Sequence, residues 1–446
     1  MLVPATMWKL YNTLTALLLA GIASLLSFNA MFNILDHEGR CTTQHLTYMC
    51  GLYADGKVQG PLCEAMCSKQ LTVHSCLSNR PEKHVLHVSW EQRGPWDTSR
   101  DQPDVILKFV SSWYETVNQP QPLPDTNLNH SFLIERQAHY ICMENFQSDG
   151  SCHSFGLRTV LYADGDSDGK VSQSEFSNMY SLLMQQEFFT LLALNSSEST
   201  LDMFGYCGGF YAVQKIEHTC DKIFGRNDHI LDVLPPIFTD NINEMLVPML
   251  NKYSEYSAEY LYRNFQQVRI PDWQERVDFI TQGFRVLYDF GSQYGTTVRC
   301  CDSHLGNYGI TDSGRVKYID MDAVLSTKAA SLLLNNTQCE TDEDCEIPDY
   351  DDCSSKCDTN LGRCRDVMKQ NDLHNFCTVT LPHVLLEESV VQDLAVDKKL
   401  VKELWQLVVE CRRLPLYTTV EDYREKSIQY VWNKFDRIVR DFESVQ

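Results

Sequence analysis

The alternation of apolar and polar positions predicts both strands and amphipathic helices. Apolar residues recur at helical spacing in three long runs, at 177–194, 273–290 and 398–413. DVILKFV, at 104–110, has the composition of a strand. Two hairpins are predicted, one joined through Gly208 and Gly209 and one around the turn DSG at 312–314. A chain of 446 residues, 43% of them hydrophobic, is long enough to bury one bilobal core or two smaller cores.

One segment is apolar without periodicity. Residues 10–35 carry no charged side chain, and a segment of this length is enough for a helix that crosses a bilayer. A cleavable signal peptide is the alternative, but its best cleavage site, Gly21–Ala23, is weak, and we favour an anchor. Lys9 precedes the segment while Asp36 and Glu38 follow it, which predicts a cytosolic N-terminus and a luminal body. The expected partner is therefore a membrane, crossed once in type II orientation.

The cysteine content agrees with an oxidising compartment. The chain has 18 cysteines and no pair of CxxC motifs with zinc-like spacing, so disulfides are expected. Sequons at Asn129, Asn195 and Asn335 suggest a glycoprotein. The segment 339–364 holds five of the cysteines among nine acidic residues and is predicted to be a disulfide-stapled excursion. The acidic side chains of this segment are interpreted as a solvent-exposed surface, with weak calcium binding as the alternative. A net charge of −22 argues against nucleic acid as a partner.

DGDSDGKVSQSE, at 164–175, fits a calcium loop. Ca²⁺ prefers six to eight oxygen ligands at fixed offsets around a sharp turn, for which Gly169 provides the flexibility. A solvated acidic turn is the alternative, but it would not require this order of residues. The expected ligands are the side chains of Asp164, Asp166 and Asp168, the carbonyl of Lys170, a water held by Ser172, and both oxygens of Glu175.

The candidate chemistry lies in RCCDSHLGNYGITDSGRVKYIDMD. The hairpin places Asn307 just before its first strand and Asp320 just after its second, with Asp302 five residues ahead of Asn307. This spacing resembles H-R-D-x-x-x-x-N and D-F-G of protein kinases, in which a base and metal-binding oxygens serve phosphoryl transfer. Lys108 lies in a predicted strand where a kinase has its phosphate-pairing lysine. Glu187, on an apolar helix face, needs a partner, and an ion pair with Lys108 would provide it.

Taken together, these motifs resemble the divergent protein kinase domain family, in its first subfamily of cysteine-rich endoplasmic-reticulum membrane proteins. The resemblance implies an α+β, bilobal protein-kinase-like fold with an EF-hand inserted in the N-lobe, preceded by one transmembrane helix. The implied organisation is a cytosolic tail (1–9), an anchor (10–35), a cysteine-rich luminal region (36–100), an N-lobe with the EF-hand (101–220), and a C-lobe with the acidic insert (221–446). Location in the endoplasmic reticulum, with the Golgi as the alternative, also comes from this likeness.

The resemblance also implies roles for particular residues. Lys108 and Glu187 would anchor phosphate, and Asp302 would be the base. Asn307 and Asp320 would bind the Mg²⁺ or Mn²⁺ ion that accompanies ATP. Gly56 and Gly60 are the best candidates for the glycine-rich loop. The expected function is calcium-regulated transfer of phosphate from ATP to an unknown luminal protein or glycan, with calcium acting through one helix that runs from Glu175 through Glu187.

The chain departs from the kinase pattern in ways that keep other functions open. Cys300 and Cys301 replace the histidine and arginine before the catalytic aspartate, and His304 replaces a lysine. Met321 and Asp322 replace the phenylalanine and glycine of D-F-G. A pseudokinase scaffold and a non-enzymatic calcium-binding luminal protein are therefore the alternative functions.

Overall fold

The structure is a computed structural model, and it describes most of the chain from Gln44 onward. The predicted anchor, residues 10–35, lies outside the described part. Among the described residues, the apolar helices are all too short or too polar to cross a bilayer. The described ranges are 44–79, 83–90, 104–110, 113, 129–146, 149–165, 168–194, 197–216, 218–224, 271–290, 298–335, 337–347, 350–387, 390–391, 397–417 and 419–444.

A five-stranded antiparallel sheet forms the centre of the N-terminal half, with strand order β1-β2-β3-β5-β4. Alternate residues of β2 are buried, as expected for a strand with one face against a core. The predicted hairpin between β4 and β5 is confirmed, and Gly208 supplies a positive φ of 56° in its turn. The strands are β1 Leu71–Asn79, β2 Lys83–Trp90, β3 Asp104–Val110, β4 Met203–Cys207 and β5 Phe210–Gln214.

Helices accompany this sheet in the described part of the chain, and disulfides join several of them. Cys50–Cys67 joins the first two helices, Cys63–Cys207 joins the second to β4, and Cys142–Cys152 joins the third and fourth. These bonds agree with the disulfides expected from the cysteine content. The helices are α1 Gln44–Ala54, α2 Cys63–Cys67, α3 His130–Asn145, α4 Asp149–Ala163, α5 Gln173–Leu183 and α6 Gln186–Leu194.

The helix expected to continue from Glu175 through Glu187 is broken. α5 ends at Leu183, and α6 begins at Gln186 after a short turn in which Gln185 N–H bonds to the Leu182 carbonyl at 2.9 Å. Such an i to i−3 bond tightens the last turn and stops the regular ladder. The prediction of one continuous helix between these two glutamates was therefore wrong.

The C-terminal half is mainly helical, as predicted. The expected long helices are present as α8, Trp273–Phe290, and α12, Lys398–Cys411. Phe284 of α8 contacts Phe376 and Phe435, with ring centroids 5.0 Å and 5.7 Å apart, inside a large shared core. The remaining helices are α7 Cys220–Phe224, α9 Thr327–Asn335, α10 Asp372–Asn375, α11 Leu381–Leu385, α13 Val420–Asp422 and α14 Gln429–Glu443.

Short strands between these helices carry the residues of the second predicted hairpin. β8 pairs with β9, and Gly314 has a φ of 76° in the turn between them. β8 also pairs with β6, and β7 pairs with β10. These strands are β6 His218–Thr219, β7 Val298–Cys300, β8 Tyr308–Ile310, β9 Val316–Tyr318 and β10 Val324–Ser326.

The acidic cysteine-rich segment is stapled by disulfides, as predicted, and it forms a small sheet. It contains β11 Glu346–Ile347, β12 Tyr350–Asp358 and β13 Arg363–Met368. Cys339–Cys357 and Cys345–Cys364 close it internally. A third bond joins Cys353 to Cys301, the residue immediately before Asp302. The insert is thus covalently attached to the loop that carries the candidate base.

Candidate active site

The ion pair expected between Lys108 and Glu187 is present. Lys108 lies on the central strand β3, flanked in register by Val85 of β2 and Tyr211 of β5. Glu187 is in the first turn of α6 and is only 3% exposed. Lys108 Nζ also donates to the Ile319 carbonyl at 3.2 Å, so it links the sheet to the segment before Asp320.

A second lysine, which the sequence analysis did not identify, shares the same acids. Lys83, the first residue of β2, has its Nζ 2.9 Å from Glu187 Oε2, 2.9 Å from Asp320 Oδ1 and 3.1 Å from Asp322 Oδ2. Burial alone would lower the pKa of Lys83, but the three carboxylates, Glu187 foremost, raise it above its ordinary value. Lys83 is therefore a fixed positive charge at this site.

Glu187 is the common acceptor of the cluster. In addition to the two lysines, its Oε2 accepts a hydrogen bond from the Tyr211 hydroxyl at 2.8 Å. Burial would raise the pKa of Glu187, but Lys108 and then Lys83 outweigh burial and lower it. The carboxylate stays ionised in a site from which water is largely excluded.

The two aspartates after β9 have different electrostatic environments. The pKa of Asp320 is lowered, because Lys108 and Lys83 overcome the effect of its burial. The pKa of Asp322 is raised, first by burial and then by the negative charge of Asp320. Asp320 is thus the more strongly ionised of the two, as a metal ligand must be.

The loop before β8 brings Asp302 next to Asn307. Leu305–Asn307 forms a 3-10 turn, and Asn307 Nδ2 donates to the Asp302 carbonyl at 2.8 Å. The Tyr318 hydroxyl donates to the same carbonyl at 2.7 Å, which fixes the loop against β9. The Asp302 side chain is 43% exposed, and its Oδ1 lies 3.3 Å from His304 Nε2. Because His304 Nδ1 accepts from Gly306 N–H, Nε2 is the nitrogen that carries the proton, and it faces Asp302.

Three of the predicted site residues, Lys108, Asn307 and Asp320, line one cleft, and Lys83 lines it with them. Glu187 lies behind this lining and reaches the cleft through its ion pairs with the two lysines. Ile319 N–H bonds to the Asn307 carbonyl at 2.9 Å, so the ends of the β8–β9 hairpin lie side by side, as its sequence predicts. Asp302 contacts Asn307 through its carbonyl but does not line the cleft. The apolar wall of the cleft consists of Leu77, Val85, Ile106, Leu201, Val213, Ile216 and Ile319.

Gly56 and Gly60 do not belong to this cleft, so their assignment to a glycine-rich loop was wrong. Both precede β1, whereas a kinase glycine-rich loop joins the first two strands of the sheet. Gly60 has a φ of 150°, and a Cβ added to it would lie 2.3 Å from the Tyr206 carbonyl oxygen. The Gly56 carbonyl accepts from Ser174 Oγ at 2.7 Å. Gly60 thus serves close packing beside the predicted calcium loop, whereas Gly56, with a φ of 71° and nothing within 4 Å of its Cβ position, serves a turn.

The predicted calcium loop connects α4 and α5 as a closed turn. Glu175, 1% exposed, accepts from Gly165 N–H and from Ser172 N–H, both at 2.8 Å. Ser172 Oγ in return accepts from Glu175 N–H at 3.3 Å, which makes a capping box for α5. One carboxylate therefore bridges the beginning and the end of the loop.

Inside this turn the acidic side chains accept backbone N–H groups. Asp164 accepts from Asp168 and Gly169 at 3.1 Å and 2.9 Å, and Asp168 Oδ1 accepts from Lys170 at 2.8 Å. Gly169 has a φ of 82°, which permits the turn. Asp166 lies outside the described residues. Calcium binding and the inward carbonyl of Lys170 stay predictions.

The sheet, the buried lysine–glutamate pair beneath it and the cleft with Asn307 and Asp320 together define a protein-kinase-like domain. Residues 179–414 match a family model described as the protein-kinase domain of FAM69, and residues 5–95 match one described as the N-terminal cysteine-rich ER region of FAM69. The chain belongs to this FAM69 family of divergent kinase-like proteins.

Proposed function

We propose that the protein is a calcium-regulated phosphotransferase of the secretory-pathway lumen, which transfers phosphate from ATP to a protein or glycan acceptor. The observation that carries the proposal is the Lys108–Glu187 pair opening onto the cleft that Asn307 and Asp320 also line. A positive charge held by a buried acid, opposite hard oxygen ligands, is the arrangement that phosphoryl transfer requires.

Each residue has a role in this proposal. Lys108 binds phosphate oxygens, and Glu187 keeps its ammonium in the cleft. Asp320 and the amide oxygen of Asn307 hold Mg²⁺ or Mn²⁺, since both are hard oxygen donors. When bound, that ion neutralises the charge on the transferred phosphoryl group. Asp302 accepts the proton of the acceptor hydroxyl, and His304, whose Nε2 lies 3.3 Å from Asp302 Oδ1, orients its carboxylate.

The loop at 164–175 is the proposed calcium site. Support comes from its closure by the buried Glu175 and from the side chains of Asp164 and Asp168, which turn toward the loop backbone. Because α5 and α6 are separate helices, the proposed action of calcium has two steps. The ion orders α5, and the turn at 184–185 transmits this ordering to Glu187 in α6. Membrane anchorage through 10–35 and location in the endoplasmic reticulum remain part of the proposal, supported by the uncharged segment and by the name of the matched N-terminal model.

The catalytic claim is tested by metal-dependent ATP consumption. The wild-type chain should consume ATP with Mg²⁺ or Mn²⁺, and Asp320→Ala should abolish this activity. Asp436→Ala, an exposed acid on α14, is the matched control and should retain it. Activity that survives Asp320→Ala would remove the metal assignment.

A pseudokinase is the second candidate, and Asp322 in place of the D-F-G glycine is the observation that favours it, because it adds a carboxylate bound to Lys83. A pseudokinase would bind nucleotide yet show no transfer in the same assay. Equal nucleotide affinity with and without calcium, in wild type and in Glu175→Gln, would refute calcium regulation.

A further inference from the structure

Lys83 has a position that the proposed function leaves unexplained. It points into the cleft from the first residue of β2 and contacts Glu187, Asp320 and Asp322 at once. Its side chain is 17% exposed, so the ammonium is accessible from the cleft yet largely removed from bulk water. A surface lysine of a strand would not be placed between three acids.

We propose that Lys83 is a second phosphate-binding residue, which takes over the task of the glycine-rich loop; this inference rests on the proposed nucleotide site. In kinases the backbone N–H groups of a glycine-rich loop cover the phosphates. Here the connection between β1 and β2 is Arg80-Pro81-Glu82, which has no glycine and includes a proline without an N–H. The residue that directly follows this connection is Lys83.

The charges around Lys83 indicate how it acts. Lys83 and Lys108 supply two positive charges against three negative ones from Glu187, Asp320 and Asp322. A divalent cation that binds Asp320 must displace the Lys83 ammonium from that carboxylate, because two cations repel each other at one oxygen. Glu187, 2.9 Å away, still holds the ammonium at the cleft wall. Lys83 is then available to donate a charge-assisted hydrogen bond to a phosphate oxygen.

This arrangement makes two predictions of opposite sign. Without nucleotide, Lys83 competes with the metal ion for Asp320, so its removal strengthens binding of the metal alone. With nucleotide, Lys83 binds phosphate, so its removal weakens binding of ATP. A lysine that only stabilised the fold would change both affinities in the same direction.

The experiment is calorimetric titration of the full-length chain with Mn²⁺ alone, Mn²⁺–ATP and adenosine. Lys83→Met should weaken Mn²⁺–ATP about ten- to a hundredfold, the effect of losing one hydrogen bond between charged groups. It should leave adenosine within about twofold, because adenosine has no phosphate, and it should tighten Mn²⁺ alone. Lys399→Met, which removes an exposed lysine of α12, should change none of the three.

Equal weakening of ATP and adenosine, or unchanged ATP affinity, would overturn the role of Lys83. If Lys83→Met does not fold, Lys83→Gln removes the charge while keeping a hydrogen-bond donor toward Glu187, and the same criteria apply. Failure of the proposed function looks different: wild type itself would then not bind ATP. If Lys108→Met loses ATP while Lys83→Met retains it, the nucleotide site stands and only this inference fails.

Discussion

Replacing Glu187 by glutamine should destabilise the protein strongly. Glu187 is 3% exposed and accepts from Lys108, from Lys83 and from the Tyr211 hydroxyl. The neutral amide removes the negative charge that both lysines contact and replaces one acceptor oxygen by a donor that faces ammonium. Lys83 would retain Asp320 and Asp322 as acidic partners, whereas Lys108 would retain the Ile319 carbonyl as its acceptor.

The magnitude follows from burial. Breaking a buried ion pair from one side costs about 3–5 kcal/mol, because an uncompensated charge is left inside. Lys108→Met should cost less than Glu187→Gln, since Glu187 would keep Lys83 and Tyr211 as partners. The matched control is Glu198→Gln, an acid that is 55% exposed and also contacts two cations, Arg285 and Arg315. An exposed pair of this kind contributes about 0–1 kcal/mol.

The measurement is the free energy of unfolding in urea for wild type, the three single variants and Lys108→Met/Glu187→Gln. We expect Glu187→Gln to lose at least about 3 kcal/mol and the double variant to lose less than the sum of the singles, since the two residues are in contact. A loss for Glu187→Gln no greater than for Glu198→Gln would refute the description of this cluster as a buried, mutually dependent unit.

Three further predictions concern other parts of the fold. Glu175→Gln should abolish the rise in melting temperature that CaCl₂ produces in wild type; an undiminished rise would place the ion elsewhere. Gly60→Ala should cost about 2 kcal/mol or more in urea unfolding because its Cβ meets a β4 carbonyl oxygen at a positive φ, whereas Gly51→Ala in α1, with nothing within 4 Å, should be neutral or stabilising. Cys353→Ser should reduce ATP turnover by freeing the loop after Cys301, and non-reducing peptide mapping of wild type should recover the Cys301–Cys353 bond; its absence would contradict that attachment.

Local patterns predicted much of the fold because they depend on residues close in sequence. The β8–β9 hairpin follows from alternation around a glycine turn, and it alone places Asn307 beside the segment that ends in Asp320. Helical spacing predicted α8 and α12 for the same reason. The Lys108–Glu187 contact was predictable because a buried acid needs a cation, and the kinase resemblance placed a lysine in that strand.

The features that sequence reasoning missed depend on distant contacts. Lys83 lies 237 residues from Asp320, and a lysine at the start of a strand is ordinarily solvated, so no local pattern marks it. The turn between α5 and α6 interrupts a segment with helical spacing of apolar residues, and this segment contains neither glycine nor proline. Gly60 was mistaken for a phosphate-binding glycine because a glycine needed for a positive φ and close packing looks the same in sequence as a glycine of a ligand-binding loop.

The central claim is that Lys108, Glu187, Asn307 and Asp320 bind one metal–nucleotide complex, and its most direct test is ATP titration with and without Mn²⁺. Wild type should bind ATP more tightly when Mn²⁺ is present, and Asp320→Asn should lose that enhancement while still binding adenosine. The account would be contradicted by an ATP affinity that does not change with Mn²⁺, or by an Mn²⁺-dependent increase in ATP affinity that persists in Asp320→Asn.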